Sequence, residues 1–217
     1  MTDVLALPAR TRNVRGRAAH AAVLAAATRL FAERGYNGTT IADVAAEAGV
    51  AKPSVLYHYP DKDALWTAAV EALWAEVEAF FEAKWPRTLA PSRALLETTL
   101  DLFVEAAVRW PAYVRIPFIE GATPSWRSAW LADRHFTTHV QTNDRILRAM
   151  QRRGQLGPGD PAHYQAIMTS SINVLVSQSA MWNRTFERPL DDLKALKALA
   201  RLTIDLLVPE VSDQLVK

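Results

Sequence analysis

The chain has no cysteine among its 217 residues, so a disulfide framework and a thiolate metal site are both excluded. It also lacks long apolar runs, and no stretch approaches the roughly 20 uninterrupted apolar residues of a membrane span. The opening MTDVLALPARTRNVRGR has too short an apolar run for a secretory signal. These absences predict a cytoplasmic protein that needs no oxidation to fold and has no membrane partner. The Asn-x-Thr matches at Asn37 and Asn183 then read as chance rather than as glycosylation sites. Alternating β-branched runs joined by hairpin turns are missing as well, which argues against a sheet. No phosphate-cradling glycine loop, nucleophile elbow or obvious carboxylate pair occurs, so the sequence nominates no catalytic residue and no cofactor, and predicts that the chain is not an enzyme.

What is present is a globular composition, 50% hydrophobic against 22% charged. The formal net charge is only +2, but it is unevenly placed. Near the start, Arg10, Arg12, Arg15 and Arg17 are offset only by Asp3. Residues 1–16 therefore read as a basic flexible arm, either a solvated tail or a segment that lies along phosphates.

From Ala18 onward the apolar spacing is helical, which predicts an all-α protein of about nine helices. The first runs over about 17–34, with Val23, Leu24, Ala27, Leu30 and Phe31 on one face and Gly35 at its end. Thr40 opens the second, where Thr-Ile-Ala-Asp has the form of a capping box answered by Asp43. Gly49 closes it, and a third helix begins within a few residues, over about 52–58. Pro53 is acceptable there only in the first turn, and Pro60 stops the helix. Two short helices joined so tightly form a helix-turn-helix. A long helix over 62–84 comes next, and the Trp85-Pro86 to Pro91 stretch breaks it. Further helices are predicted at about 92–109, 112–118, 125–153, 161–184 and 190–208.

On the third helix, Lys52, Pro53, Ser54, Tyr57 and His58 are predicted to face outward while Val55 and Leu56 turn inward. A cation, hydroxyls and flat rings on one short helix suit a DNA major groove, with Thr40 and Lys62 placed to meet phosphates. A short aromatic corner of this kind also occurs in cores, and the residues alone leave both readings open.

The run VLAAATRLFAERGYNGTTIADVAAEAGVAKPSVLYHY, followed by PDKDAL, closely resembles the DNA-binding domain of TetR/AcrR-type transcriptional regulators. The likeness covers about residues 17–66 and joins several features in order: the Leu-Phe-Ala-Glu-Arg-Gly-Tyr helix end, the Thr-Thr cap, the Ala-Gly-Val turn and the Leu-Tyr pair. It implies a three-helix DNA-binding domain over 17–62 and a ligand-binding and dimerisation domain over 63–217, with 63–84 as connecting helix. It further implies that Lys52 to His58 form the recognition helix. Thr40, Tyr57 and Lys62 would meet phosphates, and Lys52, Pro53, Ser54 and His58 would meet bases or the sugar-phosphate edge. Two departures stand out. Ala51 replaces the usual serine or threonine cap, and one aromatic residue of the family pattern looks absent between Tyr59 and Pro60.

By the same resemblance the second domain binds a small molecule and pairs with another copy through about 161–184 and 190–208, forming a homodimer on a palindromic double-stranded operator. The last helix supports the pairing with a wide leucine surface, and the one before it with small residues such as Ser170 and Ala180. A pocket for an apolar or aromatic effector is expected from Tyr113, Phe118, Trp126, Trp130 and Met168, with Trp182 as a further wall. His139, Asn143, Asn173 and Gln178 would supply the sparse polar groups. His135 and His139 share a helix face, but no third ligand is evident and no metal is predicted. The expected function is a ligand-responsive repressor. The alternatives are an all-α ligand-binding or enzymatic dimer that keeps the helix-turn-helix as scaffold, and a non-specific DNA-coating protein.

Overall fold

The computed structural model describes residues 9–87 and 89–208, with side chains from residue 16 onward. The described residues are helical and contain no strand. They form two compact units, Met1–Ala75 and Glu76–Lys217. The division falls further along the chain than the predicted 62/63, inside the helix Lys62–Lys84. Its first turns bury Leu65, Trp66, Ala69 and Val70, so they belong to the first core.

The first unit holds α1 (Ala9–Arg34), α2 (Ile41–Glu47), α3 (Lys52–His58) and the start of α4 (Lys62–Lys84). Helix α1 begins well before the predicted residue 17, so the expected flexible arm is helical from Ala9. Residues 1–8, with the rest of that arm, lie outside the described residues. The core is Val23, Ala27, Leu30 and Phe31 from α1, Val44 and Ala45 from α2, Val55 from α3, and the α4 residues just named. Each fully buried aliphatic of this kind contributes about 2 kcal/mol relative to exposure.

Two turns fix how these helices meet. Gly35 has φ +67° and its amide donates to the Phe31 carbonyl at 3.0 Å. Buried Thr39 then caps the open end of α1, its hydroxyl reaching the Leu30 and Gly35 carbonyls at 3.2 and 2.9 Å. Gly49, also at φ +67°, ends α2, and the next amide, that of Val50, donates back to Ala45 at 3.0 Å. Only a glycine adopts that φ without strain, so the tight joint between α2 and α3 is written into the sequence.

The second unit holds α5 (Arg93–Arg109), α6 (Pro111–Glu120), α7 (Trp126–Leu131), α8 (Thr137–Arg152), α9 (Pro161–Ser177), α10 (Ser179–Thr185) and α11 (Leu193–Leu207). Ser92, Ser125, Asp160 and Asp192 cap four of them through their side chains. Helix α11 packs on α5 and α9, and α6 packs on α9. The core gathers Leu96, Leu100 and Val104 from α5, Leu147 and Met150 from α8, Ile172 and Val176 from α9, and Leu196, Ala200 and Ile204 from α11. Arg93 ties the two ends of this unit together, bonding Glu97, Asp205 and the Val208 carbonyl.

Two predicted helices are interrupted. The span 125–153 contains a π-helical turn at Ala132–Phe136, and the span 161–184 breaks at Gln178. A π turn rotates the helix beyond it, so His135 is buried while His139 is exposed, and the two do not share an accessible face. Among the described residues, no group of three or more His, Cys, Asp or Glu could hold a metal ion, and no helix is long and apolar enough to cross a membrane.

Candidate nucleic-acid interface

Helix α3 is a short ledge fixed from beneath. Val55 is fully buried and Tyr59, four residues on, is 7% exposed, so one side of two turns is anchored. The other side carries Lys52, Pro53, Ser54, Leu56, Tyr57 and His58, all exposed, with Tyr57 at 85%. Leu56, predicted to turn inward with Val55, is instead 38% exposed, because the i, i+4 pair that reaches the core is Val55 with Tyr59. This register also answers the apparent gap before Pro60. The inward ring is present and is Tyr59, which leaves Tyr57 and His58 outside.

The ends of α3 differ in strength. Ala51 offers no side-chain cap, and the start relies on a proline in the first turn and on the Ser54 amide donating to the Ala51 carbonyl at 2.8 Å. At the other end the Tyr59 amide donates to Val55 at 2.9 Å, and its hydroxyl lies 2.7 Å from Nε2 of His20 on α1. The His58 ring meets His20 edge-on at 5.7 Å and Tyr57 edge-on at 5.1 Å. Nothing in the sequence singles out His20. It lies 39 positions from its partner, and no local pattern announces such a contact.

The flanking residues are more committed than their sequence suggests. Thr40 and Asp43 form the full capping box: the Thr40 hydroxyl donates to Asp43 Oδ2 at 2.7 Å, and the Asp43 amide donates to Thr40 Oγ1 at 3.1 Å. The Thr40 hydroxyl first, and then the Thr40 amide, which donates to Asp43 Oδ2 at 2.9 Å, hold the Asp43 carboxyl below its ordinary range. The Thr40 proton is therefore already used, and this hydroxyl meets a phosphate only by rearranging. Lys62 Nζ donates to the Tyr36 and Thr39 carbonyls at 3.1 and 3.2 Å and sits 4.0 Å from the Tyr36 ring centroid. Two of its three protons are bound inside the unit, so it acts first as a clasp from α4 to the turn after α1. Ala51, Lys52, Pro53 and Ser54 remain open at the leading edge.

In the second unit the expected pocket residues do not share one environment. Met168 is in the core and Tyr113 packs against it, its hydroxyl pushed up to about 12 by burial and by negative Glu78. Trp130 is half-buried, edge-on to His135 at 5.0 Å, and Asn143 is half-buried. Phe118, Trp126, His139 and Gln178 are exposed, contrary to the expected enclosed wall. The π turn precedes His139 and the break falls at Gln178, so these two side chains leave the continuous helix faces on which they were placed. Trp182 stacks on Phe186 at 5.7 Å. Asn173 Oδ1, Ser177 Oγ and Trp182 Nε1 are shielded from solvent and have no hydrogen-bond partner among the described residues.

Residues 23–69, which include α2, α3 and the clasp, match the profile of bacterial regulatory proteins of the tetR family. The chain is 29% identical over 163 residues to the HTH-type transcriptional regulator RutR of Escherichia coli K12, covering 71% of this chain and 73% of that protein. It is 26% identical over 140 residues to the HTH-type transcriptional repressor AcnR of Corynebacterium diphtheriae, covering 62% and 65%. Among solved structures, a tetR-family regulatory protein from Rhodococcus RHA1 superposes with a TM-score of 0.67 at 25% identity, over 88% of this chain and 97% of that one.

Proposed function

We propose that the chain is a ligand-responsive, DNA-binding transcriptional regulator of the tetR type, a homodimeric repressor whose two α3 helices read a palindromic operator. The observation that carries the reading is the outward face of α3: an 85% exposed phenol beside an imidazole, an ammonium and a hydroxyl, held on a buried anchor. Such groups donate to phosphates and base edges, and nothing in the unit's own packing requires them. In this reading Tyr57 and Lys52 meet phosphates, while Pro53, Ser54 and His58 lie against bases or sugars. Thr40 and Lys62 support the interface chiefly by fixing the turn and the clasp, with one Lys62 proton free for a phosphate. Residues 17–62 do the reading, and 63–217 bind effector and partner. Helix α4 contributes residues to both units, so a ligand-dependent change in the second has a covalent helical route to the first.

Tyr57→Ala tests the reading directly. Binding to a duplex selected by the unaltered chain weakens about tenfold in a salt-controlled titration, with the mass in solution unchanged. Unchanged affinity would remove Tyr57 from the interface.

For the effector site, the reading is supported by the shielded polar atoms of Asn173, Ser177 and Trp182, in the unit whose core holds Met168 and packs against Tyr113. A shielded polar atom with no partner costs about 1–3 kcal/mol, which a ligand's own hydrogen bonds recover. The mixture of apolar wall and unpaired donor and acceptor suits a largely apolar or aromatic molecule carrying a hydroxyl or amide. Asn173→Leu accordingly raises the melting temperature of the ligand-free protein by several degrees. A fall in melting temperature would show that Asn173 is satisfied inside the apo fold.

A further inference from the structure

We propose that His20, on α1, is the positioning residue for the reading end of α3, setting the pose in which Tyr57 and His58 meet DNA. The inference rests on the reading of α3 as the recognition helix. A helix of seven residues without a side-chain cap at its start is held in place by what happens at its end. There, one side chain from another helix touches both the buried Tyr59 and the exposed His58, which itself lies 6.3 Å from the Tyr59 ring. The His20 Nε2 lies 2.7 Å from the Tyr59 hydroxyl, which donates when the ring proton is on Nδ1. Its ring also stands edge-on to His58 at 5.7 Å, and His58 in turn stands edge-on to Tyr57 at 5.1 Å.

The chain His20, His58, Tyr57 is therefore a row of rings, each limiting the rotation of the next, and Tyr59 locks its inner end. Removing the imidazole leaves the part-buried Tyr59 hydroxyl without this acceptor and leaves the inner side of the His58 ring open. The backbone of α3 stays anchored by Val55, while the rings that face DNA lose their fixed pose. Phosphate attraction depends little on such a pose, whereas base readout depends on it strongly. His20 thus affects discrimination more than overall affinity.

The test uses the full chain, an inverted-repeat duplex selected by that chain from a randomised pool, and a shuffled duplex of the same composition. With His20→Ala, affinity for the selected duplex falls about tenfold and affinity for the shuffled one changes less than about twofold. His20→Gln, whose amide can reach the same hydroxyl, restores most of the loss. Tyr59→Phe alone reproduces the loss, and combining it with His20→Ala adds little. Equal affinity of His20→Ala and the unaltered chain for the selected duplex overturns the proposal. So does an equal loss on both duplexes, or a double variant whose losses multiply. If the unaltered chain selects no sequence, the reading of α3 itself fails, and the positioning role falls with it.

Discussion

On the proposed homodimer, replacing Leu202 and Leu206 by glutamate is expected to give a monomer and to cut operator affinity by roughly a hundredfold or more. Helix α11 buries Leu196, Ala200, Thr203 and Ile204 on one side and exposes Leu202 and Leu206 on the other, at 53% and 73%. Ile167 on α9 and Met181 on α10 are also more than half exposed. Leucines on the outer face of a helix contribute almost nothing to the fold of one chain, and substituting such residues usually changes stability by less than about 0.5 kcal/mol. At a two-fold interface the same substitutions place like charges against each other out of water, which costs far more. The two cases are well separated in outcome. Light scattering at micromolar concentration reads the mass, and the same samples titrated against the selected operator read the lost linkage between half-sites. A variant that keeps the dimer mass puts the interface elsewhere.

Glu120→Ala lowers the stability of the second unit by about 3 kcal/mol. Glu120 at the end of α6 is 6% exposed, and its carboxylate accepts from Arg127 Nε on α7 at 2.7 Å. This pair closes the corner around the Gly121–Pro124 turn. A buried ion pair contributes little net stability over a well-packed apolar pair, but removing one member takes from the other a charge partner that offset its desolvation. Arg127 also lies 5.7 Å from the Trp126 ring. Glu120→Gln, which keeps a hydrogen-bond acceptor, loses less, and Glu120→Leu combined with Arg127→Leu loses little. Urea unfolding followed by tryptophan fluorescence measures all three. Equal losses for Gln and Ala would show that shape rather than charge holds the corner.

The first unit is legible in the sequence because its determinants are local. Gly35, the Thr40 and Asp43 box, Gly49 and the two prolines around α3 each fix a helix end within a few residues of themselves. The outward set Lys52, Ser54, Tyr57 and His58 emerges from helical spacing alone. Leu56 does not, since the residue that shares the buried side with Val55 is Tyr59, and a phenol gives no clear signal of burial. Lys62 reads as a free cation in the sequence, although its ammonium is bound by backbone carbonyls 23 and 26 positions away. His20 stays silent for the same reason.

In the second unit the spacing locates the helices but misses the π turn at Ala132–Phe136 and the break at Gln178. Neither carries a glycine or proline to mark it, and each re-aims the side chains beyond it. The expected pocket loses His139 and Gln178 to the surface in this way, and Phe118 and Trp126, which lie before both interruptions, are exposed as well. Asn173 and Trp182 each hold a polar atom shielded from solvent, Oδ1 and Nε1.

Selection by the full-length chain from a pool of duplexes with a randomised centre, followed by sequencing, tests the DNA-reading role of α3 at its root. One inverted repeat is expected to be enriched, with half-sites spaced to suit two recognition helices on successive turns of the major groove. An unenriched pool, or one in which every sequence is retained in proportion to salt-sensitive charge attraction alone, would contradict that role.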